Sequence, residues 1–270
     1  ILFGEDTGAY GGSFGITLGM YDEFGGDRVR DTPISESAII GCAVGSAATG
    51  MRPIAELVFC DFLTVAMDQI ANQAAKMRYM FGGKISLPMV VRMPAGAGQG
   101  GAAQHSQSLE AWVTHVPGLK VVYPSTPQDA LGLILSAIDD DNPVIYFENK
   151  IIKEKADITN FDPIPLGKGN IVREGTDISV ITYGLQVYDA KKAADILAKD
   201  GISLEIIDLR TLYPLDKDMI RSSIAKTHHA IVITEETKRG GYGGEISATI
   251  AEEMFDELDG PVVRIGSLNT

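Results

Sequence analysis

Cysteine, histidine and positive charge are scarce in this chain, and each shortage removes a class of protein. The only two cysteines of the 270 residues, Cys42 and Cys60, stand in apolar segments with no partner cysteine or histidine at metal-ligand spacing. They do not make a disulfide framework, and both are expected as reduced core residues of a cytosolic protein. Lys and Arg number 23 against 36 Asp and Glu, a net charge of −13. Such a surface repels phosphate backbones and anionic lipids, so neither nucleic acid nor membrane is an expected partner. No apolar run approaches the roughly 18 residues of a membrane span, and no segment has the basic, apolar and small-residue order of a signal peptide. The chain opens at Ile1 in a strand-like run without a Met start, so further residues are expected beyond both ends.

What is present has the balance of a compact globular protein, 45% hydrophobic and 22% charged. At roughly 100 to 200 residues per domain, the length suits two domains. Short β-rich runs, "ILF" at 1, "PIAELV" at 53, "LPMVVRM" at 87, "KVVYP" at 120 and "PVIYFEN" at 143, are separated by segments of helical period. Residues 36–50 form one such segment. Asp61 to Phe81 forms another, with Phe62, Val65, Ala66, Gln69, Ile70, Gln73 and Met77 along one predicted face. After Lys150 the pattern breaks into mixed charges, prolines and glycines, then restarts with strands "ISVITYG", "SLEIIDL", "AIVITEE" and "PVVRIG" and helices near 187–200, 216–226 and 244–257. The expectation is an α/β protein of two domains, each a mostly parallel sheet flanked by helices. Residues 1–150 form the first domain, 151–168 a linker with an entry hairpin, and 169–270 the second.

Two motifs are decoys. "GAGQGG" at Gly96 matches the dinucleotide fingerprint, but no helix starts within it and no acid ends the next strand, so a flexible loop near a site is expected. "GGSFG" at Gly11 matches a hydrolase nucleophile elbow, yet no helix of useful length follows Ser13 and a glycine loop is the simpler reading. His105, in "AAQHSQSLEAW", has more in its favour. A lone histidine is usually structural, but this one joins a glycine-rich loop to a helix, past a parallel strand's C-terminal end and between Gln104 and Gln107; on the residues alone both readings stand. His115, His228 and His229 have no such company and are read as structural.

"DTPISES" at Asp31 runs into "AIIGCAVGSAATG", a helix with no further charge until Arg52. Ser35 as N-cap and Glu36 in the first turn would stabilise that helix by roughly 0.3–1 kcal/mol. Capping does not explain why the helix is almost all small and apolar, a composition that implies burial on every side. An acid opening such a helix would be poorly solvated and would hold its proton more tightly, as a proton relay requires.

Taken together, "GEDTGAYGG", "DTPISES", "AVGSAATGMRPIAEL", "MDQIANQAAKMRYMFGG", "AAQHSQSLEAW" followed by "HVPGLKVVYPSTPQDA", and "GGYGGEI" resemble the β subunits of thiamine-diphosphate-dependent 2-oxo acid dehydrogenases, from Ile1 to Thr270. The resemblance implies a transketolase-like pyrimidine-binding domain followed by a transketolase C-terminal-like domain. It implies that Glu36 hydrogen-bonds the pyrimidine nitrogen of thiamine diphosphate, that Phe62 stacks on that ring, and that Leu57, Val58 and Phe59 line the cofactor cleft. It gives His105 a place facing the substrate and the incoming lipoyl group. A potassium site would fall on Met89, Ala137, Ile138, Asp140 and Asn142. The family's "GDG…N" motif for diphosphate and magnesium is absent from this chain, which implies an α subunit that supplies it, an α2β2 heterotetramer, and transfer of the acyl group to a lipoyl-bearing acyltransferase core. "AAQHSQ" points first to pyruvate, with acetoin close behind and branched-chain 2-oxo acids next. A noncatalytic module that docks the acyltransferase core is the rival from another class, opposed by the presence of Glu36, Phe62 and His105 together; a hydrolase built on Ser13 is weaker still.

Overall fold

A computed structural model describes residues 1–269 apart from 153, 155 and 157; these three fall in the expected linker and lie outside the description. The first half contains β1 (Leu2–Gly4), α1 (Met20–Phe24), β2 (Val29–Asp31), α2 (Glu36–Ala48), β3 (Ile54–Glu56), α3 (Ala75–Met80), β4 (Val90–Ala95), α4 (Glu110–Thr114), β5 (Lys120–Val122), α5 (Pro127–Asp139) and β6 (Val144–Asn149). The second contains β7 (Asn170–Arg173), β8 (Ile178–Thr182), α6 (Gln186–Leu197), β9 (Leu204–Asp208), β10 (Thr211–Tyr213), α7 (Lys217–Thr227), β11 (Ala230–Thr237), α8 (Tyr242–Glu253) and β12 (Val263–Ser267).

Two sheets result, ordered β10-β5-β6-β4-β3-β1-β2 and β12-β11-β8-β9-β7. Every pairing is parallel except β10 with β5 and β7 with β9. The mostly apolar runs of β4 and β6 take the middle of the first sheet, where helices cover both faces; all six residues of β4, Arg92 among them, are buried. The two-domain α/β architecture expected from the alternation is therefore present.

The halves are sewn together. β10 belongs to the second half in sequence but pairs with β5 of the first, and Tyr123 N donates to Arg210 O at 2.8 Å. Arg210 pairs with the buried Asp129 at 2.5 Å, while Gly184 N and Tyr188 OH donate to Ser125 Oγ and O at 2.9 and 2.8 Å. Gly184, at φ 60°, lets this contact close: a Cβ there would lie 2.6 Å from the Tyr123 ring. The described part of the linker lies along α5, with Ile164 N donating to Gly132 O and Ser136 Oγ to Ile164 O.

Four expectations need correction. Asp61–Phe81 is not one regular helix. A 3-10 turn spans Cys60–Thr64, and i→i+5 bonding spans Gln69–Ala74 before α3. Ala66, Ile70 and Ala74 face inward, while Val65, at the end of the 3-10 turn, is 54% exposed. Ser35 occupies the N-cap position of α2 without a side-chain capping bond; Ser37 Oγ instead donates to Val65 O at 2.7 Å. α2 is buried along Ile39, Ile40, Ala43, Val44 and Ala47 only. Its other face, with Ala38, Cys42, Gly45 and Ala48, is exposed, because small side chains bury a helix on all sides only where a neighbour covers them and this chain supplies cover on one side. Cys42 is therefore a surface thiol, whereas Cys60 is buried; both are free.

Candidate cofactor site at the carboxyl ends of the first sheet

Open parallel sheets bind ligands past the carboxyl ends of their strands, and here β4, β3, β1 and β2 are successive neighbours. β1 leads into the "GEDTGAYGG" loop, held by Asp31 at the end of β2, whose carboxylate accepts from Gly8 N at 2.6 Å and Ala9 N at 3.4 Å. β2 leads to Glu36, the first residue of α2. β3 leads to Leu57, Val58 and Phe59 and then the 3-10 turn carrying Phe62. β4 leads to the glycine-rich loop and the single 3-10 turn Ala103–His105.

The aromatic members meet. His105 packs edge-on against Phe59 and Phe62, with ring centroids 4.8 and 5.5 Å away and planes at 87° and 88°. Phe59 also meets Phe62 at 6.1 Å and Phe14 at 5.7 Å, both edge-to-face. Leu57 is buried beneath, its N–H donating to Arg92 O at 3.0 Å, while Val58, Phe59, Phe62 and His105 are partly exposed. Glu36 is only partly buried, as one-sided cover of α2 requires. The bond from Ser37 to Val65 ties its helix to the turn that bears Phe62. Burial raises the carboxyl of Glu5 above its ordinary range, and the charges of Asp6 and Glu36 raise it further; the strand ends therefore carry an acidic neighbourhood. Among the described residues the Glu36 carboxylate has no ion pair or hydrogen bond.

Around Asp140 the oxygens already have donors. Arg52 Nη1 donates to Ile138 O at 2.8 Å and Asp140 O at 3.1 Å, and Arg52 pairs with Asp141 at 2.7 Å. Asn142 donates through its N–H and Nδ2 to Asp140 Oδ1, both at 2.9 Å, and Lys120 pairs with Oδ2. Burial alone would raise the Asp140 carboxyl, but these bonds outweigh it and hold the group below its ordinary value. Met89 O accepts from Val144 N at 2.9 Å, and Ala137 lies buried in the last turn of α5. No three His, Cys, Asp or Glu side chains are placed to hold a metal among the described residues. No helix among them is long and apolar enough to cross a membrane.

The decoys behave as read: Gly96, Gly98 and Gly100 all have positive φ and no helix opens within their loop, and Ser13 is exposed with no histidine bonded to it among the described residues. The sequence does not single out Phe14, which lies in the glycine loop, or the buried pair Asp61 and Lys150 under His105.

Comparison with known proteins agrees with this geometry. The model for the transketolase pyrimidine-binding domain matches residues 1–153, and that for the transketolase C-terminal domain matches 167–270; the chain is thus of the transketolase type. A solved split-gene transketolase, an inactive β4 tetramer, shares the fold with a TM-score of 0.81 at 21% identity, over 100% of this chain and 83% of that one. Among curated relatives, the acetoin:2,6-dichlorophenolindophenol oxidoreductase β subunit of Cupriavidus necator is 52% identical over 96% of this chain and 80% of its own length. The 2-oxoisovalerate dehydrogenase β subunit of Bacillus subtilis is 48% identical, over 98% and 82%, and the pyruvate dehydrogenase E1 β subunit of the same organism 44%, over 100% and 84%. The chain belongs to the family of β subunits shared by the 2-oxo acid and acetoin dehydrogenases.

Proposed function

We propose that this chain is the β half of a thiamine-diphosphate-dependent enzyme that decarboxylates pyruvate and passes the acyl group to a lipoyl domain. The observation that carries this reading is the unpartnered Glu36 at the strand ends, on a helix that Ser37 ties to the turn bearing Phe62, with an aromatic group that closes on His105. Thiamine diphosphate, when bound, supplies the carbanion chemistry. Glu36 holds a proton at the pyrimidine ring nitrogen, Phe62 stacks on that ring, and Leu57, Val58 and Phe59 exclude water from the cleft. His105 gives or takes a proton as the acyl group leaves for the lipoyl sulfur.

The other half of the cleft belongs to an α subunit in an α2β2 assembly, which holds the diphosphate and magnesium. The exposed small-residue face of α2 supports this, since it permits close approach of a neighbouring backbone. Potassium near Asp140 would share its oxygens with Arg52 and Lys120, and no step depends on it. A lipoyl-bearing acyltransferase core in the cytosol completes the reading. Acetoin is the second substrate reading, favoured by the 52% identity to an acetoin enzyme subunit.

The test is coexpression with a matching α subunit and turnover of pyruvate, acetoin and branched 2-oxo acids with and without thiamine diphosphate. Glu36→Gln should lower turnover by about 10²- to 10⁴-fold with assembly intact; full activity would refute the proton-holding role.

A further inference from the structure

Beneath the site lies a buried ion pair to which neither the motifs nor the function assign a role. Lys150 follows β6, and its side chain is 0% exposed; Asp61, next to Phe62, is 2% exposed, and the pair is 3.4 Å apart. Lys150 Nζ also donates to the His105 carbonyl at 2.7 Å and lies 4.9 Å from the centre of the Phe59 ring. The other Asp61 oxygen accepts from Gln107 N and Nε2 at 3.1 and 3.0 Å. Each partner therefore grips the chain on one side of Ser106.

The gripped segment has little of its own to hold it. Gly96, Gly98 and Gly100 lie at φ 92°, 89° and 72°, Ala102 at 62°, and the only regular structure before α4 is one 3-10 turn. Glycines lose much conformational freedom on ordering, so external contacts must define the loop. Its near end is held by Glu235, which accepts from Ala97 N at 2.6 Å, and its far end by Asp61 and Lys150. A buried ion pair is weak as a source of stability, because desolvation offsets most of the attraction and apolar residues of similar volume often do as well. What an apolar pair could not do here is donate to one backbone carbonyl and accept from a backbone amide two residues on.

We propose that Lys150 and Asp61 are positioning residues that clamp the His105 turn, so that the imidazole stays seated on Phe59 and Phe62 in register with the acyl group. The inference rests on the reading of His105 as the group facing lipoyl transfer. Neither residue touches the reacting atoms in this scheme.

The test uses the assembled αβ enzyme with Lys150→Met, Asp61→Asn and the double variant. Two readings are taken: the ratio of lipoyl-domain acylation to decarboxylation measured with an artificial electron acceptor, and hydrogen exchange of amides 96–107. Misplacing a reacting group by about 1 Å costs around 100-fold, so the ratio should fall between tenfold and about 100-fold in Lys150→Met and in the double variant while exchange in 96–107 quickens; Asp61→Asn, which keeps an acceptor for Gln107 N, should fall less. The double variant separates positioning from stability, and remains decisive if a single variant fails to fold. With both charges gone its melting temperature should return toward the parent's, yet the His105 carbonyl still lacks its donor. A ratio that stays low in the double variant supports the clamp; one that recovers with stability, or loop exchange equal to the parent's, overturns it. If the parent shows no thiamine-dependent turnover, the functional reading fails, and exchange of 96–107 alone decides the clamp.

Discussion

Replacing Glu236 by Gln should stabilise the protein at neutral pH and remove part of its pH dependence. Glu236 lies near the end of β11, 3% exposed, accepting from the N–H groups of Tyr242 and Gly243 and from Tyr183 OH. Burial pushes its carboxyl up to about 7, although those donors pull the other way. Glu110, 1% exposed on α4, is raised well above the ordinary range by burial and by the charge of Glu236, and its Oε2 has no hydrogen-bond partner. The folded state therefore holds the Glu236 proton more tightly than the unfolded chain, where Glu ionises near pH 4.3. The stability this contributes is full below that pH and is lost as pH rises to about 7. A shift from 4.5 to about 7 corresponds to about 3 kcal/mol. Gln keeps an acceptor for the α8 amides and cannot ionise. Urea denaturation of parent and variant across pH 4 to 8 reads the Glu236 contribution together with its coupling to Glu110, whose titration the substitution also changes. The stability difference should grow in the variant's favour by about 3 kcal/mol between pH 4.5 and 7, then level off. A flat difference, or one favouring the parent at pH 7, would refute the reasoning.

Arg92 stands between the carboxylates of Glu56, at 2.5 Å, and Glu148. Arg92→Met leaves two acids unpaired in the sheet and should cost about 3–5 kcal/mol in chemical denaturation, most of it recovered when both acids also become Gln; no recovery would mean that packing, not charge, is lost. Cys42 should react with a thiol reagent in the free chain while Cys60, buried and with its thiol pushed up by burial, reacts only on unfolding. Binding of an α subunit should protect Cys42; unchanged labelling would remove α2's open face as the contact.

Period and composition made much of the fold legible. The runs at 87 and 143 became β4 and β6, the middle strands, because mostly apolar sequence suits a strand covered on both faces, the charged exceptions Arg92 and Glu148 pairing with each other. β10 was not legible: three residues before a proline carry no period, and their pairing partner lies in the other half of the chain. α2 was read as buried on every side because hydropathy reports what a residue tolerates, not which neighbour covers it. In the site, Glu36 stood out by contrast with its apolar neighbours, and His105 by its loop. Lys150 did not, since a lone lysine at a composition break is ordinarily a solvated one and its burial follows from the approach of Asp61 and the His105 turn.

The strand borrowed across the two halves has a consequence for synthesis. β5 joins the first sheet only through β6, so once Asn149 has left the ribosome the outer edge of β5 waits for Thr211, 62 residues later. At 5–20 residues per second this is roughly 3 to 12 s. Throughout that interval the nascent first sheet presents an unpaired apolar edge, open to adhesion with other chains. The same applies to any N-terminal fragment cut within 151–168, which would keep this edge bare permanently; the halves, adjoining in sequence, should therefore be less stable apart than together.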